Sequence, residues 1–305
     1  MTHCYQHPGS AITRKGYFAY LVTGAAFAAP VLAFDIVFDY TYDTGFFNDT
    51  NKAILDEAAS FFETYITDDF TAITSGGSNH FSAIFTNPGD RTSQVTLTDF
   101  DVAADTIVVF VGGYDYGTGS TTLGSGGYGG YSISGGNSFI DNAVTRGETA
   151  TREGVSNPNA ATQSAVDFAT WGGSVSFNST TNWYFDTDVS TNEAFTGADF
   201  YSVALHELGH VLGLGTADSW DNNIIGGQFT GAASVAAYGG NLVPLQSSGG
   251  HWADGTQSRI YGTSTGQEAA MDPNILLGTR KVFTDLDMAG LEDVGWEIQS
   301  ASSGE

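Results

Sequence analysis

HELGHVLGLGTADSW, residues 206–220, sets two histidines four apart, a glutamate beside the first and a glycine three past the second. On a helix of about 3.6 residues per turn His206 and His210 share one face, so both imidazoles can reach a single ion. Glu207 stands one step round the helix, where its carboxylate can hold a water beside that ion. Leu208, Val211 and Leu212 cover the other side and seat the helix in a core. Asp199 can cap this helix, and Gly213 or Gly215 can end it in a left-handed turn. A capped apolar helix around H-E-x-x-H is the context of a zinc site; a surface helix with chance histidines would lack it.

A catalytic zinc takes three protein ligands and keeps a fourth position open. In the commonest form of the motif the third ligand falls three residues past the glycine, and that position is Thr216. The other candidates are His251 in GGHWADGT, His80 in SGGSNHFS, and the carboxylates of Asp218 and Glu268. Imidazole is the usual partner, although Asp or Glu can serve. His80 lies ahead of the helix in a stretch that reads as a solvated loop, with no ligand cluster around it to make a second zinc site. His251 follows a flexible glycine pair.

The chain has 305 residues, enough for one large core or two lobes, and 41% of them are hydrophobic, as in a folding sequence. Forty glycines cluster, most densely in GGYDYGTGSTTLGSGGYGGYSISGG (112–136), which reads as tight turns and loop. Acidic residues outnumber basic ones 34 to 9, a formal charge of −25. That charge and the lack of any basic run exclude nucleic acid and anionic membranes as partners. DFDVAAD (99–105) and FDTD (185–188) are candidate calcium (Ca2+) sites, but no EF-hand pattern is present and solvated acidic loops account for them as well.

Residues 1–33 read as a secretory signal. Arg14 and Lys15 precede the apolar run YFAYLVTGAAFAA, and Val31-Leu32-Ala33 offers a cleavage site near Ala33. The run is shorter than the ~20 residues of a membrane span. Cleavage would remove both basic residues and Cys4, the only cysteine, leaving a charge of −25 − 2 = −27 and no disulfide. Strand-like sequence begins at once after Ala33, so no propeptide is expected, and 299–305 is a polar tail.

From residue 34, FDIVFDYTYD alternates as a half-buried strand, and NDTNKAILDEAASFFETYITDDF repeats apolar residues at helical spacing, with Asp49 or Thr50 as its cap. TIVVFVGGYDYG is an apolar strand entering the glycine-rich loop, and GGSVSFNSTTNWYF reads as strand, turn and strand. Downstream, Met271 sits before the turn signal Asp272-Pro273, and Thr284 opens a helix with Asp287 three later, an approximate capping box.

A helix with H-E-x-x-H-x-x-G, a later histidine, a methionine turn and a closing helix, in this order, resembles the metzincin zinc peptidases. Among them it looks most like the leishmanolysin-like branch, where a long insertion separates the glycine from the third histidine. The resemblance implies His206, His210 and His251 as zinc (Zn2+) ligands, with 214–250 as an excursion that leaves at Thr216 and returns at His251. It implies Glu207 as general base and Met271 as a floor beneath the metal. Residues 171–185 are similar to the upper edge strand of matrixins, which implies a protein or peptide substrate bound in extended form along that edge. The implied fold is α+β: a twisted, mostly parallel sheet of about five strands, a backing helix, the zinc helix and a smaller irregular C-terminal lobe. Residues 34–213 and 214–298 would form its two subdomains, with the cleft between them. Departures are the shorter excursion, the missing disulfides, and Asp272-Pro273 where some metzincins carry a tyrosine after the methionine. The implied function is a secreted zinc-dependent endopeptidase. The alternative is a secreted zinc-binding or adhesive protein of the same fold, against which Glu207 counts, since a structural site needs no base.

Overall fold

Phe34 anchors the start of the sheet, and the alternation after it forms β1 (Asp35–Asp39), with Ile36 turned inward. The protein is described by a computed structural model over residues 34–148, 168–191 and 193–301. The expected signal peptide with its cleavage point, and the last four residues of the expected polar tail, lie outside these. No helix among the described residues is long and apolar enough to cross a membrane.

The helical spacing after residue 48 gives α1 (Asp49–Tyr65), which buries Ile54, Leu55, Ala58 and Phe62. Its cap is Asn48 rather than Asp49 or Thr50, because Asn51 returns its side chain to the Asn48 N–H (2.6 Å) and closes a capping box. β2 (His80–Thr86), β3 (Gln94–Leu97), β4 (Thr106–Tyr114), β5 (Gly124–Tyr128), β6 (Gly130–Ser134) and α2 (Asn137–Thr145) follow. Then come β7 (Gly172–Asn178), β8 (Trp183–Tyr184), β9 (Ala198–Asp199) and the motif helix α3 (Phe200–Val211), capped by Asp199 as expected.

The central sheet has four strands, in the order β1-β4-β7-β5. β1–β4 and β4–β7 are parallel and β7–β5 is antiparallel, so the sheet is mixed. Two expectations need correction here. The glycine-rich stretch is not all loop: it supplies β5 and β6. And 171–185 is not the edge, because β7 is paired on both sides and β5 takes the rim.

Strand alternation sorts the core into layers. Ile107, Val109 and Val111 of β4 join the cluster that packs on α1 and α3, while Phe110 faces Phe81, Phe85 and Trp171 of the second cluster. That second cluster lies under an antiparallel sheet of order β3-β2-β6. The chain crosses from one sheet to the other at Gly129, where a Cβ would come within 2.0 Å of Trp171, whose indole donates to the carbonyls of Gly129 and Gly130 (both 3.0 Å).

After α3 the elements are short. α4 (Asp218–Asp221), β10 (Ile224–Ile225), β11 (Gln228–Phe229), α5 (Ala232–Ala237) and β12 (Val243–Pro244) make up the excursion. Its buried centre is aromatic: Trp220 meets Phe229 at 4.2 Å and Trp252 at 4.8 Å between ring centroids. β13 (Gln257–Arg259), β14 (Gly266–Glu268) and α6 (Asp285–Val294) close the chain. Thr284 and Asp287 form the expected capping box on α6.

Candidate metal centre

Helical spacing puts His206 and His210 on one face of α3, and the return of the excursion brings His251 to them. Their three Nε2 atoms form a nearly regular triangle with sides of 3.2, 3.2 and 3.1 Å. Bonds of about 2.0–2.1 Å at tetrahedral angles would separate two ligand nitrogens by about 3.3–3.4 Å, so the triangle has the dimensions of a zinc site.

Each imidazole is fixed from its other nitrogen. His206 Nδ1 donates to the Ala270 carbonyl (2.8 Å), His210 Nδ1 to the Leu214 carbonyl (2.7 Å), and His251 Nδ1 to Gln246 Oε1 (3.1 Å). With Nδ1 protonated in all three, the three Nε2 lone pairs face one another with no proton between them. A shared cation would make that arrangement favourable. Burial, with the neighbouring histidines adding to it, holds His206 well below the usual imidazole range. Burial takes His210 down to about 4 and lowers His251 also. Neutral imidazole is the form that binds metal.

Glu207 is 5% exposed, and burial pushes its carboxyl up to about 8. The Gly126 backbone N–H donates to this carboxylate. Its Oε2 has no hydrogen-bond partner among the described residues. An orphaned buried oxygen beside three converging nitrogens is an acceptor awaiting a donor such as water. The approach of β5 that supplies the Gly126 bond depends on glycine. A Cβ at Gly124 would lie 2.8 Å from Glu207 Oε1, and one at Gly126 would lie 2.3 Å from the Glu207 carbonyl oxygen.

Behind the triangle stands Asp287, fully buried. It accepts from the backbone N–H groups of Ala270 (2.9 Å), Met271 (3.1 Å) and Thr284 (2.9 Å), the Thr284 hydroxyl (2.7 Å) and the Trp252 indole (2.9 Å). One carboxylate thus braces both the carbonyl-bearing residue that orients His206 and the neighbour of His251. The capping pattern pointed to Asp287 only as a helix start; nothing local in the sequence marks the other donors. Met271 is 1% exposed and its sulfur packs where a Cβ on Gly209 would stand, 2.8 Å away, between the two helical histidines.

The triangle opens into a cavity of about 600 Å³. Thr122, Gly124, Val203, Thr216, Pro273 and Ile275 are among the residues that line it. The rival ligands lie elsewhere. Asp218 opens α4, Glu268 ion-pairs with Lys281 (2.6 Å), and His80 is exposed and paired with Asp99 (2.6 Å). The calcium expectation is not supported, since neither acidic stretch forms a metal-sized cluster among the described residues. Asp101 accepts from the Ser75 N–H and Asp186 pairs with Arg280, so these carboxylates already have donors. A cluster does form from Asp254, Glu268 and Asp272, but the Lys281 ammonium is bonded to Glu268 and to Asp272 (2.7 Å).

The family model described as matrixin matches residues 145–224. That stretch contains β7 and the whole of α3 with Glu207 and both helical histidines, and it ends before His251. The match supports a metzincin-type family and a zinc-dependent peptidase. Neither the curated proteins nor the solved structures contain a match.

Proposed function

We propose that this protein is a secreted zinc endopeptidase, with His206, His210 and His251 as ligands and Glu207 as general base. The observation that carries the reading is the set of three Nε2 lone pairs 3.1–3.2 Å apart, with every Nδ1 committed and the Glu207 Oε2 orphaned beside them. A zinc ion held there supplies Lewis acidity, which acidifies water and polarises a peptide carbonyl. Glu207 takes the proton of the attacking water and returns it to the leaving amine, while the Gly126 N–H keeps the carboxylate aimed. The free edge of β5 offers main-chain groups to an extended substrate, and the cavity walls beside α3 select its side chains.

The leishmanolysin-like branch fits best, because His251 lies 41 positions after His210 and Thr216 stands at the nearer position. There Thr216 donates its hydroxyl to the His210 carbonyl (2.7 Å), a bond that ends the helix. Met271 serves as the floor of the site. Secretion with cleavage near Ala33, and subdomains at 34–213 and 214–298, complete the reading.

The test is hydrolysis of an unfolded generic protein by the purified protein and by Glu207→Ala, with zinc content measured in both. Activity lost with zinc retained supports the reading. Equal activity in both would mean the hydrolysis has another source, and no activity in the zinc-loaded wild type would favour a non-enzymatic role.

A further inference from the structure

Two of the three histidines are oriented by backbone carbonyls, which no side-chain substitution removes. His251 differs: its Nδ1 faces the side-chain oxygen of Gln246 (3.1 Å). Gln246 and His251 lie at the two ends of a six-residue loop closed by backbone bonds. The Gln246 N–H donates to the His251 carbonyl (3.0 Å), the Gly249 N–H to the Gln246 carbonyl (2.8 Å), and Leu245 bridges Trp252 in antiparallel fashion. The Trp220 indole holds the loop from beneath through the Gly249 carbonyl (2.9 Å).

The structure turns Oε1 of the Gln246 amide, and not its nitrogen, toward His251. Ser248 Oγ lies 3.0 Å from the same Oε1. That hydroxyl accepts from the Gly250 N–H (3.5 Å) and donates to Gln246 Oε1. With an amide oxygen, which can only accept, facing Nδ1, His251 carries its proton there and presents a bare Nε2 to the centre. With the amide reversed, an N–H would face Nδ1, the imidazole proton would move to Nε2, and His251 could not bind metal.

We propose that Gln246 is the positioning residue of the third ligand: it selects the tautomer and orientation of His251 and so sets the metal affinity. This rests on the zinc reading given above. The third ligand arrives from a remote part of the chain, and the excursion carries its own acceptor, five residues away, to make it competent on arrival.

The experiment measures zinc affinity by competition with a chromogenic chelator, and the visible spectrum of the cobalt(II) form. The proteins are wild type, Gln246→Leu, Gln246→Glu, His251→Ala and the His251→Ala/Gln246→Leu double variant. Loss of an outer-shell acceptor lowers affinity by about 10–100-fold in metal sites, and Gln246→Leu is expected to fall in that range with altered cobalt bands. Gln246→Glu keeps an acceptor and is expected to restore both readouts. In the His251→Ala background Gln246→Leu is expected to change nothing further. Circular dichroism of the metal-free variants verifies that they are folded.

Affinity in Gln246→Leu within twofold of wild type, or an equal drop in the His251→Ala background, overturns the proposal. A wild-type protein that binds neither metal overturns the zinc reading as well, and wild type alone reveals that case.

Discussion

At the scale of single residues, the centre depends as much on side chains that are missing as on those present. Gly124, Gly126 and Gly127 are neighbours on β5, yet their surroundings differ. A methyl group at Gly126 would meet the main chain of α3 at 2.3 Å, whereas one at Gly127 would meet nothing within 4 Å. Backbone cannot swing aside as a long side chain can, so Gly126→Ala must push the strand from the helix. Overpacking of this kind costs about 1–3 kcal/mol, and here it also breaks the N–H contact that aims Glu207. On the proposed mechanism Gly126→Ala is therefore expected to lose most peptidase activity, and to lose about 1–3 kcal/mol in denaturant titration. Gly127→Ala is expected to keep activity and lie within about 0.5 kcal/mol of wild type. Similar behaviour of the two variants would mean that β5 does not need to approach the helix this closely.

At the scale of elements, segments with one dominant period were legible in the sequence. α1, α3 and α6 show the helical spacing, β1 alternates, and β4 is an apolar run. β5 (GSGGY) was not legible, because glycine contributes neither a period nor a β preference, and the short alternation of β6 (GYSIS) was hidden inside the glycine-rich run; what makes them strands is pairing with β7 and β2. The site divides the same way. His206, Glu207 and His210 could be read from spacing within one helix, while the placement of His251, Gln246 and Asp287 around them depends on contacts made only after folding. One contact between elements yields a pH prediction. Glu63 on α1 accepts from the Ile36 N–H of β1 (3.0 Å), and burial, with Asp35 and Asp56 nearby, pushes its carboxyl up from 4.5 to about 7. The folded state thus holds this proton more tightly than the unfolded chain. The resulting stability is complete below pH ~4.5 and is lost as pH rises through about 7. Gln keeps the acceptor without the charge. Glu63→Gln is expected to match wild type in chemical denaturation near pH 4.5 and to be the more stable protein at pH 8. A constant difference across that range would show that Glu63 titrates alike in both states.

At the scale of the whole molecule, charge dominates. With 34 acidic and 9 basic residues the folded protein carries strong self-repulsion, which unfolding relieves by spreading the charges apart. Salt shortens the reach of that repulsion, from about 10 Å at 0.1 M to about 3 Å at 1 M. Salt also weakens ion pairs, so the sign depends on where those pairs lie. The main ones are sheltered. Arg280 binds Asp186 and Asp199, whose side chains are 5% and 0% exposed, and Lys281 binds Asp272, at 0%. The His80–Asp99 pair is exposed, and exposed pairs contribute little. Screening therefore acts on the repulsion and largely spares the attraction. Raising sodium chloride from 0.05 to 1 M at pH 7, with zinc held saturating, is expected to stabilise the protein by roughly 1 kcal/mol or more. For a chain of this size that corresponds to a rise in Tm of about 2–4 °C per kcal/mol. Scanning calorimetry at several sodium chloride concentrations reads it directly. A flat or falling Tm would mean that the acidic surface is already compensated in dilute salt, by bound cations or by ion pairs stronger than their exposure suggests.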